Sequence, residues 1–218
     1  MKLECGIEKI KNAISQVERI TGKNLTLPVL SSILLIASGK SLKLRAMNLS
    51  LGIEVEIPAK IEKEGILAIS GQVLASTFSN IIQNENIYLE DIDGNLLIKT
   101  KKSKIKLKGQ PYEDFPTIPS VTGENFEIEI KKITEGIKSV YYSASPSSIK
   151  AEISSVYMYS KEEYLIFVST DSFRLAEKKI KVKGIIDIAG ILIPFKNIPE
   201  ILRVFGENSG NMKICLNR

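Results

Sequence analysis

The stretch Ile7-Glu8-Lys9-Ile10-Lys11-Asn12-Ala13-Ile14-Ser15-Gln16-Val17 places isoleucine or valine at positions 7, 10, 14 and 17. That spacing lays one apolar stripe along a helix, so the segment reads as an amphipathic helix. Working outward, the pattern returns. Val73, Leu74, Phe78, Ile81 and Ile82 form a second stripe, Ile133, Ile137, Val140 and Ala144 a third, and Ile198, Ile201, Leu202 and Phe205 a fourth. The helices start near residues 7, 71, 131 and 195, an internal repeat with a period of about 60 residues.

Strand signals fill the gaps. Ile33 to Ile36 is a short apolar run, and the Ser38-Gly39-Lys40 turn follows it. Leu42-Lys43-Leu44 and Ile53-Glu54-Val55-Glu56-Ile57 alternate as half-buried strands do. Ile87 to Leu89 and Leu96 to Ile98 flank an Asp93-Gly94 hairpin signal, and Ile105-Lys106-Leu107 follows. Val156 to Tyr159, Leu165 to Val168 and Ile180-Lys181-Val182 repeat the series. Each unit therefore reads as strand, helix, then about three strands, with the first spanning about 1–58 and the second about 59–118. Pro116 and Pro119 interrupt regular structure and place a domain boundary near 120, giving domains 1–120 and 121–218. Two units per domain make an α+β fold with helices on one face of antiparallel sheets. Only Glu207 to Arg218 follow the fourth helix, so the second domain is expected to stop two strands short, with an open sheet edge.

Composition narrows the function. With 44% apolar and 25% charged residues in 218, the chain reads as a soluble globular protein. No apolar run suggests a membrane span and no h-region suggests secretion, so a cytoplasmic protein without a membrane partner is expected. Cys5 and Cys215 lie far apart and fit reduced thiols better than a disulfide or a metal cage. There is no histidine, which excludes His-based triads and His-ligated zinc. Glycine-rich phosphate loops and a GxSxG elbow are also missing. Asp171, near Arg174, reads as a structural ion pair or turn cap. No catalytic constellation, cofactor or metal is expected, and the chain is read as a non-enzyme.

The net charge of +5 permits a polyanionic partner without demanding one. Opposite the apolar stripes lie Arg19 on the first helix, with Lys23 just beyond its end, Lys131, Lys138 and Tyr142 on the third, and Lys196 and Arg203 on the fourth. The second helix shows Gln72, Ser76, Ser79 and Gln83 there, and acids appear at Glu8, Glu135 and Glu200. Such faces fit plain solvation. They also fit a surface that lets phosphates pass without gripping them, through few, sequence-independent contacts.

Four stretches, in order, resemble the bacterial sliding clamp, the beta subunit of DNA polymerase III. Leu27-Pro28-Val29-Leu30 resembles that family's LP[IV]L segment, and Asp114-Phe115-Pro116 its DFP at the end of domain one. Ser169-Thr170-Asp171-Ser172-Phe173-Arg174-Leu175-Ala176 resembles ATDGHRLA, and Ile193-Pro194-Phe195-Lys196 resembles VPRK before the last helix of domain two. The resemblance implies the DNA-clamp fold and a processivity factor. In that family three such domains per subunit close head to tail as a homodimer ring around double-stranded DNA. Here the third domain would be absent.

The resemblance also implies a peptide cleft that captures linear motifs of the polymerase alpha subunit, the clamp loader and repair proteins. It maps onto Lys150, Ile153, Thr170, Ser172, Phe173, Arg174, Leu175, Pro194 and Ile198. Leu175, Pro194 and Ile198 either wall an apolar pocket for a leucine or phenylalanine anchor or pack in the core. The expected DNA-facing residues are Arg19, Lys23, Asn24, Lys131, Lys138, Lys196 and Arg203. Departures stand out. The family's Gly-His is Ser172-Phe173, a DNA-contacting arginine falls on Asn24, and an aromatic pair falls on Ala151-Glu152. The alternative is a stand-alone two-domain scaffold that binds peptides and encircles nothing.

Overall fold

A computed structural model describes residues 1–22, 27–81, 86–147, 149–182, 188, 190–206 and 208–216. The chain divides into two compact units, Met1–Ile118 and Pro119–Arg218.

Unit 1 runs β1 (Lys2–Gly6), α1 (Ile7–Val17), β2 (Ser32–Ser38), β3 (Ser41–Met47), β4 (Gly52–Pro58), β5 (Lys60–Lys63), β6 (Gly65–Ser70), α2 (Gly71–Ser79), β7 (Asn86–Ile92), β8 (Asn95–Lys99) and β9 (Lys104–Gln110). Its nine strands form one antiparallel sheet in the order β4-β3-β2-β6-β9-β8-β7-β1-β5. The alternation read from the sequence sets the faces. Ile33, Leu35, Leu42, Leu44, Leu67 and Ile69 point to the side that also buries Ile7, Ile10, Ile14, Leu74 and Phe78. The two-residue hairpin at Asp93-Gly94 has both residues at positive φ, 52° and 74°, the primed-turn geometry that asparagine, aspartate and glycine favour. The sequence reading missed β5. Lys60-Ile61-Glu62-Lys63 is too short and charged to announce a strand, yet it pairs with β1 at the sheet's far end. β9 meets β6 only at Gly109 and Gln110. The exposed Lys104, Lys106 and Lys108 guard the rest of that edge, a common defence against stray strand pairing.

Unit 2 runs β10 (Glu124–Glu129), α3 (Ile130–Val140), β11 (Ser155–Lys161), β12 (Tyr164–Thr170), β13 (Leu175–Lys181), β14 (Ile191–Pro194), α4 (Ile198–Phe205) and β15 (Asn211–Leu216). A single 3-10 turn, Phe195–Asn197, precedes α4. Pro199 sits in the first turn of α4, where no backbone N–H is needed. The sheets are β13-β12-β11-β14 and β10-β15. Ile133, Ile137 and Val140 of α3 pack on Phe167, Leu165, Ala176, Val156 and Met158. Gly136 lies where α3 crosses β12. A Cβ there would fall 2.2 Å from the Phe167 ring. No helix among the described residues is long and apolar enough to cross a membrane.

Candidate functional site

The site forms at one end of the four-stranded sheet of unit 2. Leu175 is paired with Thr170. Continuing the Tyr157↔Val168 register brings Ser155 opposite Thr170, and Ser155 is paired with Pro194. These side chains make one row on the face turned away from α3. Leu175 and Pro194 stand three strand spacings apart, about 14 Å. The sequence reading missed Ser155, which joins the row by register alone.

The turn between β12 and β13 is built by Asp171. Its Oδ1 accepts the backbone N–H groups of Phe173 and Arg174, both at 3.0 Å. Its Oδ2 meets Arg174 Nε at 3.0 Å. These donors, the Arg174 N–H first, hold the Asp171 carboxyl below its usual value. Asp171 is thus a turn builder paired with its arginine, as one sequence reading had it. Thr170 Oγ1 donates to the Arg174 carbonyl at 2.7 Å and accepts the Ser172 N–H at 3.1 Å. Ser172 sits at φ 78°, a left-handed conformation that suits glycine, so the position where the family pattern has glycine keeps the glycine geometry. This pinned turn displays Phe173, which is 97% exposed, beside Leu175 at 67%.

Lys150 and Ile153 lie in the segment before β11. The Lys150 carbonyl accepts the Ser154 N–H at 3.1 Å and the Ser154 hydroxyl at 2.8 Å. The Ile153 carbonyl accepts the Ser145 N–H at 2.8 Å. The Ser154 carbonyl then accepts the Phe195 N–H at 2.9 Å, which ties this segment to the end of β14. Lys150 is exposed, and Ile153 and Pro194 are half-buried. Ile198 differs. It has no exposed surface and belongs to the apolar core of unit 2. The structure therefore gathers Thr170, Ser172, Phe173, Arg174, Leu175, Lys150, Ile153 and Pro194 at one sheet end and places Ile198 beneath the surface.

The basic positions divide as well. Arg19, in a 3-10 turn after α1, is exposed, as are Lys131, Lys138 and Lys196. Lys131 and Lys138 are seven apart on α3 and share a face. Arg203 is half-buried, and its Nε meets Glu200 Oε2 at 2.6 Å, so its charge is largely answered within α4. Lys23, Asn24 and Gln83 lie outside the described residues. Cys5 is buried, and burial pushes its thiol up to about 12, away from thiolate chemistry.

Comparisons with known proteins agree with this architecture. Residues 1–119 match the N-terminal domain of the DNA polymerase III beta subunit, and residues 127–218 match its central domain. A beta sliding clamp of Synechococcus elongatus is 27% identical over 182 residues, covering 82% of this chain and 48% of that protein. One from Streptococcus pneumoniae is 26% identical over 211 residues, covering 93% of this chain and 56% of its own. The chain thus spans about half the length of the curated relatives it matches. A crystal structure of the beta subunit from Pseudomonas aeruginosa superposes with a TM-score of 0.92 at 23% identity, covering 99% of this chain and 60% of that one. A sliding clamp from the same organism, solved bound to griselimycin, gives 0.93 at 23% identity, covering 100% and 60%. The fold is the DNA-clamp fold, and the chain belongs to the DNA polymerase III beta subunit family, the sliding clamps.

Proposed function

We propose that the protein acts as a processivity factor. It encircles duplex DNA within a closed head-to-tail ring and tethers the polymerase alpha subunit and the clamp loader through a linear-motif cleft in unit 2. In this reading the whole is non-catalytic. It raises the effective concentration of its partners on DNA, so topology replaces grip. The observation that carries the reading is the sheet-end row. Leu175 and Phe173 are apolar, exposed and held by a hydrogen-bonded turn, so they are displayed for a ligand rather than consumed by the core. The griselimycin-bound relative supports a ligand site in clamps of this fold. The sparse cations support the DNA-facing part. Arg19, Lys131, Lys138 and Lys196 are exposed and take part in no ion pair among the described residues. So few cations give weak, salt-sensitive contacts suited to sliding. Residues 1–120 and 121–218 then serve as the first two clamp domains, working in the cytoplasm as part of a homodimer.

The test is calorimetry with a synthetic peptide carrying a Leu-Phe anchor. Leu175→Ala is expected to weaken binding by about 1–3 kcal/mol through lost apolar burial. Unchanged affinity would remove Leu175 from the cleft and the cleft from this row.

A further inference from the structure

We propose that unit 1 carries a groove for a nucleoside di- or triphosphate, running round one end of its sheet from Tyr88 to Lys40. It is built from residues of unit 1 alone and is independent of the peptide cleft.

The register of β5, β1 and β7 sets one side of the groove. Glu4 pairs with Lys60 on β5 and with Tyr88 on β7, so these three side chains form a row across neighbouring strands. Leu3, Cys5, Ile87 and Leu89 alternate with them and are buried, which turns the row to the outer face of the sheet. Tyr88 and Lys60 stand two strand spacings apart, about 10 Å. β1 ends at Gly6 and α1 follows at once, bringing Lys9 to the end of the sheet. The turn between β2 and β3 brings Lys40, whose carbonyl accepts the Ala59 N–H at 3.0 Å and so holds it beside Lys60.

Two open cavities follow this line. One, of about 740 Å³, is lined by Lys9, Lys40 and Lys60, with Pro58, Ala59 and Ile61 as its apolar wall. The other, of about 400 Å³, is lined by Tyr88 and Thr100. Glu4 and Asn86 border both, so the two join there. Each has the size of a small-molecule site.

The charges select the ligand. Other lysines of this sheet meet an acid, Lys2 with Glu62 at 2.8 Å and Lys99 with Glu90 at 2.6 Å. Lys9, Lys40 and Lys60 take part in no ion pair among the described residues. Two acids of the neighbourhood are held by other donors. Glu4 Oε1 accepts an Asn86 Nδ2–H at 2.9 Å, and Glu64 Oε1 accepts the Gly39 N–H at 2.7 Å. Three unanswered cations at one end repel one another, and a run of consecutive phosphates answers all three at once. The other end offers the Tyr88 ring, 46% exposed, on which a base can stack. An inorganic anion would use the lysine end alone, whereas a nucleotide uses both. Gly6 keeps the join open. Its φ of −72° does not require glycine, and a Cβ there would meet only Asn86 Oδ1, at 3.9 Å.

Calorimetry of the whole chain with ATP, with pyrophosphate and with adenosine, at low salt, tests the proposal. ATP is expected to saturate one site with a Kd below about 1 mM and to bind more tightly than either fragment. Lys40→Ala combined with Lys60→Ala is expected to weaken ATP and pyrophosphate alike, by about tenfold. Tyr88→Ser is expected to weaken ATP about fivefold or more and to leave pyrophosphate unchanged. Gly6→Asp sets a carboxylate among the lysines and is expected to abolish ATP binding. It should melt no lower than the parent, because aspartate is a favoured N-cap. Failure of ATP to saturate, pyrophosphate binding as tightly as ATP, or ATP binding that ignores Tyr88→Ser or the lysine pair overturns the proposal.

Discussion

α2 of unit 1 and α4 of unit 2 carry the same stripe but live in different surroundings. Leu74, Phe78 and Ile81 match Ile198, Leu202 and Phe205 in position. Phe78 is 1% and Ile81 7% exposed, whereas Leu202 and Phe205 are only half-buried. The core that takes in Phe78 also includes Ile87, Leu89, Leu96, Ile98 and Leu107 from β7, β8 and β9. Among the described residues α4 faces β10 and β15, and Met212, Ile214 and Leu216 there are themselves half-buried. The amphipathic stripe fixes which side of a helix is apolar. The amount of sheet opposite fixes how much that side stabilises. Phe78→Ala is therefore expected to cost about 3–5 kcal/mol and Leu202→Ala only about 1–2 kcal/mol. Urea unfolding of each variant checks it. Equal losses would break the comparison.

A second contrast lies where helix meets sheet. Gly136 of α3 and Phe167 of β12 stand at the places that Ala13 of α1 and Leu44 of β3 hold in unit 1, 123 positions earlier. A small helix residue under a large strand residue replaces two middling ones, which keeps the volume filled. Phe167 is 0% exposed and cannot swing aside. Glycine in a helix interior gives up about 1 kcal/mol relative to alanine. Relieving that with Gly136→Ala would drive a Cβ into the ring, and overpacking of this kind costs about 1–3 kcal/mol. The clash wins, so Gly136→Ala is expected to lower stability by about 1 kcal/mol net. Adding Phe167→Leu should recover part of the loss, a coupling that a double-mutant cycle reads directly.

The apolar periods made the repeat legible, because a buried stripe must recur every three or four residues whatever else changes. The Asp93-Gly94 hairpin was legible for a similar reason, since few residues tolerate its dihedrals. β5 was not, because four residues with three charges hold their place through pairing with β1. The motif around Asp171 located the turn and the exposed Leu175, but the fate of Ile198 depended on packing between elements. Which face of the unit 2 sheet meets the helices was also hidden. Leu165 to Val168 is apolar on both faces, so alternation could not say which face meets the helices. Likewise Asn48-Leu49-Ser50-Leu51 and Asp171-Ser172-Phe173-Arg174 share no identical residue, only one short side chain that can accept two N–H groups.

That pair of turns permits the finest comparison. Asn48 builds its turn with a neutral carbonyl oxygen, and Asp171 builds the same turn with a charged one and adds the Arg174 contact. The Asp171 carboxyl titrates below its ordinary value in the fold. Its contribution is therefore complete above the usual carboxylate range and is lost as pH falls through the lowered value. Asparagine has no such loss. Asp171→Asn is expected to keep the turn, as Asn48 does, and to give the smallest change of the three, because the Arg174 partner is 58% exposed and screened. The variant should melt slightly below the parent at neutral pH, and the gap should close in acid, once pH has fallen through the lowered value and the parent carboxyl is protonated. Melting curves at the two pH values read the difference. A gap that widens on acidification would mean that the charge opposes the turn, and that unit 2 tolerates Asp171 for the sake of Arg174.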